Sequence, residues 1–258
     1  MRGSTLWLLA ALLLGPGLPA TSAAEPQAPD CPAAPAQMLS LPVTRAALRE
    51  GKPLTIIAFG SSSTEGSGAS TPEQSYPAQL ERLLRAALPG TVLHVLNHGI
   101  GGQDVQQMLG RLRRDVLDWA PTLVIWQAGA NAVLKGVDPA EFRAALASGV
   151  AQLHAAGTDV VLMDSQRSPR ILASPRAPLI EAALQDLAQD QHLPLFSRGK
   201  LMRAWAAAGV SDEAMLGSDK LHHNDRGYRC LATALADAIV KALRPAPSLM
   251  AGRMTGAQ

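Results

Sequence analysis

The feature that most constrains the fold of this chain is a regular alternation between short apolar runs and longer helical patterns. The predicted strands are Leu54–Phe59, Val92–Asn97, Leu123–Gln127, Val160–Asp164 and Pro194–Phe196. The predicted helices are Tyr76–Leu88, Val105–Trp119, Pro139–Ala156, Pro178–His192, Leu201–Ala208 and Asn224–Leu243. Crossovers long enough to hold a helix join parallel strands, and helices then cover both faces of the sheet. We therefore predict an α/β fold, a three-layer α/β/α sandwich around a five-stranded parallel sheet.

This topology also predicts where functional residues lie. Right-handed crossovers bring the carboxyl ends of all the parallel strands to one edge of the sheet. Ligands of open α/β sheets bind beyond that edge. The loops that directly follow the predicted strands are therefore the first places to look for chemistry.

The loop after the first predicted strand reads Gly-Ser-Ser-Ser-Thr-Glu-Gly-Ser-Gly over residues 60–68. It lacks both the Gly-Lys-Ser/Thr ending of a nucleotide-triphosphate loop and the G-x-G-x-x-G dinucleotide fingerprint. Thr64 stands where the α/β-hydrolase elbow has its second glycine. Two interpretations remain, a flexible surface loop and a turn that exposes a serine hydroxyl at the sheet edge.

The loops after the second and third strands contain possible donors to an oxyanion. Residues 97–104 read Asn-His-Gly-Ile-Gly-Gly-Gln-Asp, which is either a turn that needs positive φ or a loop with a backbone N–H free for an oxyanion. Asn131 follows the third strand. It is either a turn or N-cap residue or a side-chain donor to developing negative charge.

Asp219, His222 and His223 lie just before the last predicted helix. A carboxylate three residues before a histidine can orient the imidazole through Nδ1 and leave Nε2 as a general base. A metal site is an alternative for these three residues, although no further His or Cys cluster completes a ligand set. A solvated loop is the third interpretation.

The N-terminal region predicts export. Residues 1–24 have the pattern of a signal peptide: Arg2, the apolar run Leu6–Leu14 and small residues at 21–24. The run is shorter than the roughly 20 residues that span a bilayer, although an uncleaved anchor remains an alternative. We predict an N-terminal leader at 25–50, a folded domain at 51–244 and a flexible tail at 245–258.

Composition and cysteine content narrow the class of protein. With 258 residues, of which 47% are hydrophobic, the chain can bury a full core as one domain. The net charge is +2 and the basic residues are scattered, so we expect no nucleic-acid partner. Cys31 and Cys230 are the two cysteines. They either pair in an oxidising compartment or remain free thiols, and the sequence does not decide between these states.

Taken in order, the serine turn, the glycine loop, the asparagine and the Asp–His pair resemble the motifs of the SGNH/GDSL hydrolase family. The resemblance extends from about Leu54 to Val240 and implies the flavodoxin-like SGNH hydrolase fold. It also implies a Ser–His–Asp triad and an oxyanion hole. The implied triad is Ser62, His222 and Asp219, and the implied oxyanion donors are the N–H groups of Ser62 and Gly102 and the amide of Asn131. Ser61 stands where the family usually has Asp.

The resemblance implies a serine esterase that acts on carboxylic esters through an acyl-enzyme, without a cofactor or metal. No large insertion forms a lid over a long acyl chain, which favours acetyl esters, and export favours a small-molecule or cell-envelope polysaccharide ester in the periplasm or outside the cell. The alternatives are a thioesterase or lysophospholipase, a polysaccharide O-acetyltransferase, and a non-catalytic carbohydrate-binding module. Gln166 and Arg167, after the fourth strand, either contact substrate or form a solvated loop.

Overall fold

The computed structural model describes residues 31–244 and is built on a five-stranded sheet. The strands are β1 (Leu54–Gly60), β2 (Leu93–Gly99), β3 (Leu123–Gln127), β4 (Asp159–Met163) and β5 (Leu195–Phe196). All neighbouring strands are parallel, in the order β2-β1-β3-β4-β5. This is the strand order of flavodoxin-like doubly wound sheets.

Helices cover both faces of this sheet. They are α1 (Pro42–Arg49), α2 (Ser62–Glu65), α3 (Tyr76–Ala87), α4 (Val105–Leu109), α5 (Leu112–Asp115), α6 (Ala130–Lys135), α7 (Pro139–Ala155), α8 (Pro169–Leu172), α9 (Ala177–Asp190), α10 (Arg198–Ala207) and α11 (Asp225–Leu243). Helices α1, α3, α10 and α11 pack on one face, and α4 to α9 pack on the other. The predicted three-layer α/β/α sandwich is confirmed.

The alternation of side chains along the strands produces two cores. In β1, Ile56 faces the α3–α11 layer and Ile57 faces the opposite layer, because successive residues of a strand point to opposite faces. The second layer lies very close to the sheet at Gly149 of α7. A Cβ at this position would lie 2.2 Å from the Trp126 ring, so the helix needs glycine here.

One predicted helix is wrong. The pattern over Val105–Trp119 predicted a continuous helix, whereas the structure has α4, α5 and a short 3-10 helix at Leu117–Trp119. Gly110 and Arg111 separate α4 from α5. Glycine is a poor helix former, and the Arg111 side chain turns inward, where it reaches the backbone at the ends of β1 and β2.

The folded unit begins before the predicted domain boundary at residue 51. Residues from Cys31 onward belong to the compact unit. In α1, the backbone N–H and the hydroxyl of Thr44 each donate to Asp159 Oδ2 at 2.8 Å, and Cys31 forms a disulfide with Cys230 of α11. The predicted leader therefore includes residues that pack on the domain, because a buried carboxylate 115 positions away holds α1 in place.

The remaining predicted segments lie beyond the part of the chain that the structure describes. The signal peptide at 1–24 and the tail at 245–258 fall outside residues 31–244. Within those described residues, no helix combines the length and the apolar character needed to cross a bilayer.

The topology places one crevice at the carboxyl edge of the sheet. The chain runs from β1 to β2 on one side, and β3 then pairs with the other side of β1. The carboxyl ends of β1 and β3 therefore flank a topological switch point, where open α/β sheets bind their ligands.

Candidate active site

Ser62 is the first residue of the short helix α2, and only Ser61 separates it from the end of β1. Ser61 is extended, with φ of −103° and ψ of −153°, so the chain turns sharply into the helix. Gly66 ends α2 in the left-handed conformation, with φ of 111°, which glycine adopts without strain. This turn brings Ser62 Oγ to 2.8 Å from His222 Nε2, in the loop before α11.

Asp219 lies on the other side of the imidazole. Its Oδ2 is 2.5 Å from His222 Nδ1. Its Oδ1 accepts hydrogen bonds from the backbone N–H groups of Leu221 at 2.9 Å and of His222 at 3.0 Å. Lys220 completes the tight turn with a φ of 51°. Asp219, His222 and Ser62 thus form one hydrogen-bonded chain.

The ionisation state of Asp219 determines which nitrogen of His222 carries the proton. Partial burial acts to raise the pKa of Asp219, but hydrogen bonds from the side chain and backbone of His222 outweigh it and hold the pKa below its ordinary value. An ionised carboxylate can only accept. Nδ1 of His222 therefore carries the proton, which leaves Nε2 as the acceptor for the Ser62 hydroxyl. An imidazole held in this tautomer can remove the serine proton.

The turn before Ser62 is held by Gln127, the last residue of β3. Gln127 Oε1 accepts from the Ser61 backbone N–H and from the Ser61 hydroxyl, both at 3.0 Å. The Thr64 hydroxyl donates to the same oxygen at 3.2 Å. Gly60 ends β1 beside it, and a Cβ there would lie 2.8 Å from that oxygen. No sequence motif pointed to this role of Gln127.

The predicted backbone donors are the N–H groups of Ser62 and Gly102. The first N–H groups of a helix have no acceptor within it, and neither of these two donates to any other acceptor within residues 31–244. Gly101 lies against the nucleophile turn, since a Cβ on it would be 3.9 Å from Ser62 Cβ. Gly102 is exposed and has a φ of 74°. Both N–H groups are therefore free to donate to a ligand.

Asn131, the third predicted donor, lies in the first turn of α6. Its Nδ2 donates to the Gln103 backbone oxygen at 2.9 Å, which ties α6 to the loop that contains Gly102. An amide nitrogen has two hydrogens, so one remains for a ligand. The crevice lined by Ser61, Gln103 and Asn131 is too narrow for a water molecule.

The Arg111 side chain stabilises the carboxyl edge of the sheet. Its Nη2 donates to the Gly60 carbonyl at 2.9 Å and its Nη1 to the His98 carbonyl at 3.0 Å. Nε donates to Gln103 Oε1 at 2.6 Å, and Nη1 also pairs with Asp115 at 3.0 Å. One buried guanidinium therefore joins the ends of β1 and β2 to the glycine loop. Sequence analysis missed it, because an arginine within a predicted helix carries no signal of burial.

Gln166 and Arg167 lie at the same edge, after β4. Gln166 is 2% exposed and hydrogen-bonds to Ser63 and Leu221. Arg167 Nε donates to Asp212 Oδ2 at 3.1 Å. A solvated loop, one of the two predictions for this pair, is therefore wrong for Gln166.

His223 points away from the chain formed by Ser62, His222 and Asp219. Its ring is buried against Tyr228, and its Nδ1 donates to the Met215 carbonyl at 3.0 Å. Burial lowers the pKa of His223 to about 3, so the ring is neutral. Among the residues that the structure describes, no three His, Cys, Asp or Glu side chains are arranged to hold a metal ion.

Several solved structures share this fold. A two-domain esterase, CEX, active on acetylated mannans and co-crystallized with mannopentaose, is 22% identical with a TM-score of 0.69, over 82% of this chain and 58% of that one. A lipase/acylhydrolase from Enterococcus faecalis is 23% identical (TM-score 0.64, 76% of this chain, 100% of that one). The acetyl xylan esterase AlAXEase is 21% identical (TM-score 0.61, 72% of this chain, 100% of that one). This chain therefore spans less than two thirds of the two-domain esterase.

A search of curated proteins found no match. The model of the Non-GDSL lipase-like family matches residues 28–245, which include every strand and every candidate site residue. The predicted resemblance to SGNH/GDSL hydrolases is confirmed for the family and the fold. The chain belongs to the Non-GDSL lipase-like family.

Proposed function

We propose that this protein is an exported serine esterase that removes short acyl groups, above all acetyl, from polysaccharides. Ser62 is the nucleophile, His222 the base and Asp219 its partner. The proposal rests on one observation: Ser62 Oγ and His222 Nε2, from residues 160 positions apart, are 2.8 Å apart, and Asp219 is 2.5 Å from the other ring nitrogen. Membership of a lipase-like family supports the same class of reaction.

Acylation begins when His222 Nε2 takes the Ser62 proton and Oγ attacks the ester carbonyl carbon. The carbonyl oxygen becomes an oxyanion, and the N–H groups of Ser62 and Gly102 with the Asn131 amide donate to it. His222, now protonated, gives its proton to the departing alcohol as the carbon–oxygen bond breaks. Asp219 stabilises the imidazolium and holds the ring in place.

Deacylation repeats these steps with water as the nucleophile. His222 removes a proton from water, which attacks the acyl-enzyme carbonyl, and the imidazolium then returns a proton to Ser62 Oγ. The products are the carboxylic acid and the free serine. Because Asp219 remains ionised throughout, it assists both steps without exchanging a proton.

The open surface beside the nucleophile favours an ester whose alcohol part is large. Gly102 and Glu65, which lie beside the nucleophile, are both exposed. A glycan can therefore lie across this edge of the sheet as the alcohol part of the ester. The named activities of the mannan and xylan esterases with this fold support an acetylated polysaccharide.

Export is supported by two independent features. Residues 1–24 have the pattern of a signal peptide. Cys31 and Cys230 form a disulfide, and disulfides persist in oxidising compartments such as the periplasm and the cell exterior.

The test measures acid release from nitrophenyl esters of increasing chain length and from acetylated mannan and xylan. We expect kcat/KM to fall as the acyl chain lengthens beyond acetate. Ser62→Ala should lower kcat at least about 10³-fold and abolish labelling by a fluorophosphonate. Ser148→Ala, an exposed serine of α7, is the matched control. Near-normal turnover by Ser62→Ala would refute the mechanism, and a preference for long acyl chains would refute the substrate class.

A further inference from the structure

Gln166 lies between the two segments that carry Ser62 and His222. Its side chain is 2% exposed, and it comes from a third segment, the loop after β4. Its Oε1 accepts from Ser63 Oγ at 3.3 Å, and its Nε2 donates to the Leu221 carbonyl at 2.9 Å. Ser63 directly follows the nucleophile and Leu221 directly precedes the base. One side chain therefore connects the immediate neighbours of both reacting residues.

The two partners of Gln166 determine how its amide is oriented. A backbone carbonyl can only accept, so the NH₂ group faces Leu221 and the amide oxygen faces Ser63. The bridge thus needs one donor and one acceptor at opposite ends of a neutral group. An apolar side chain supplies neither, and an ionised carboxylate lacks the donor.

Other contacts also join the two segments that carry Ser62 and His222. The Tyr228 hydroxyl donates to the Ser67 carbonyl at 2.7 Å. Gly68 packs so closely on the loop before α11 that a Cβ on it would be 2.5 Å from the His223 carbonyl oxygen. Within residues 31–244, the Leu221 carbonyl accepts from Gln166 alone. Loss of this donor would leave a buried carbonyl unpaired, and the loop would shift to find water.

We propose that Gln166 is a positioning residue that sets the separation between Ser62 Oγ and His222 Nε2. This inference rests on the proposed function, because it concerns the geometry of proton transfer between those two atoms. Gln166 does not contact the substrate: its side chain has almost no exposed surface, and both ends of its amide are engaged within the protein. It acts through the backbone of the two segments.

The first experiment compares Gln166→Leu with Gln185→Leu on a nitrophenyl acetate ester. Gln185 is an exposed glutamine of α9 that bonds only to Glu181 of the same helix, so it controls for the chemical change. A misplacement of about 1 Å can cost about 10²-fold in rate. We expect Gln166→Leu to lower kcat by about 10- to 100-fold and to change KM by less than about threefold. Gln185→Leu should match the wild type.

The second experiment uses Gln166→Glu, whose protonated carboxyl can replace both hydrogen bonds. A neutral acid accepts from Ser63 and donates its O–H to Leu221, whereas the ionised form cannot donate. Burial raises the pKa of a carboxyl group, so the ratio of this variant's kcat to wild-type kcat should rise as the pH is lowered from about 9 to about 6. The same ratio for Gln166→Leu should not change with pH. A loss of packing alone would not produce this difference.

Each outcome decides a separate question. If wild-type protein hydrolyses the ester and reacts with a fluorophosphonate, but Gln166→Leu keeps wild-type kcat, the positioning role is refuted and the proposed function stands. If folded wild-type protein does neither, the proposed function itself fails. Should Gln166→Leu not fold, Ser63→Ala removes the other end of the bridge: a kcat loss that is non-additive with Gln166→Glu supports the bridge, and strict additivity refutes it.

Discussion

Replacement of Arg111 by Met tests the support beneath the candidate active site. Methionine keeps an apolar side chain against Phe59, over whose ring the guanidinium lies at 4.4 Å. It removes the donors to the Gly60 and His98 carbonyls and to the Gln103 side chain. The Gly60 carbonyl retains a second donor, the N–H of Ile100 at 3.1 Å. The loss of hydrogen bonds therefore falls mainly on the His98 carbonyl and the Gln103 side chain.

The expected cost follows from burial and from what remains. The Arg111 side chain is 5% exposed, and removal of one partner from a buried ion pair costs about 3–5 kcal/mol. Here Asp115 is 15% exposed and keeps Arg114 at 2.5 Å. In the wild type, Arg114 and, to a smaller extent, Arg111 hold the pKa of Asp115 at about 2. The carboxylate is therefore not left unpaired. We expect the free energy of unfolding to fall by about 2–4 kcal/mol, mostly from the lost hydrogen bonds.

The effect on catalysis should exceed what stability alone explains. Arg111 holds the loop of residues 98–103, which contains Gly102, at two points. A shifted oxyanion donor lowers the rate of the chemical step, so kcat should fall by about 10- to 100-fold with little change in KM.

Urea denaturation and steady-state hydrolysis of an acetate ester measure both effects. Arg114→Met is the control, because Arg114 pairs with the same Asp115 but its side chain is 74% exposed. It should unfold and turn over like the wild type. If Arg111→Met unfolds at the same urea concentration as Arg114→Met and keeps its kcat, Arg111 does not support this edge.

Three further predictions concern other parts of the molecule. Asp219→Asn should lower kcat about 10³- to 10⁴-fold, because an amide favours the wrong tautomer of the imidazole; unchanged kinetics on a chromogenic acetate would contradict this. Replacement of Cys31 and Cys230 together by Ser should lower the free energy of unfolding in urea by about 2–5 kcal/mol, since the disulfide spans 199 positions; reduced wild type should behave like the variant. His223 has a pKa of about 3 in the folded state against 6.5 ordinarily, so the unfolded state binds more protons in between. Stability from this group is present above pH 6.5 and is lost as the pH falls toward 3, by up to about 1.4 kcal/mol per pH unit. Asp164, whose pKa burial raises to about 6, acts in the opposite sense below that pH. The urea stability of wild type minus that of His223→Gln isolates the histidine, and a difference independent of pH would refute the prediction.

The sequence best predicted the positions of those site residues that directly follow a strand of the parallel sheet. Ser62, Gly102 and Asn131 each follow a predicted strand, and parallel strands with right-handed crossovers end at one edge. Asp219 and His222 are three residues apart, so one turn brings them together. Topology thus predicted that the loops with Ser62, Gly102 and Asn131 share one edge of the sheet, whereas the link from these loops to Asp219 and His222 came from the resemblance to SGNH/GDSL hydrolases.

Contacts between a buried side chain and a distant backbone could not be predicted in this way. Arg111 reaches Gly60 across 51 positions, and Gln166 reaches Leu221 across 55. Nothing local distinguishes these side chains from solvated ones of the same type. The helix α1 escaped prediction for the same reason, since its position depends on Asp159, 115 positions from Thr44.

Ser61 stands where SGNH/GDSL enzymes usually have Asp, and a distant side chain, Gln127, explains why a serine fits this turn. Three groups of the nucleophile turn, the N–H and hydroxyl of Ser61 and the hydroxyl of Thr64, are donors directed at one acceptor, Gln127 Oε1. A serine at position 61 fits this acceptor because its hydroxyl carries a proton, whereas an ionised Asp would bring a second acceptor to the same oxygen. Gln127 could then satisfy an Asp only by rotating its amide, which would turn NH₂ toward the Ser61 N–H. The residue before Ser62 and the residue that ends β3 are therefore a matched pair, and the turn depends on their complementarity rather than on an acidic residue.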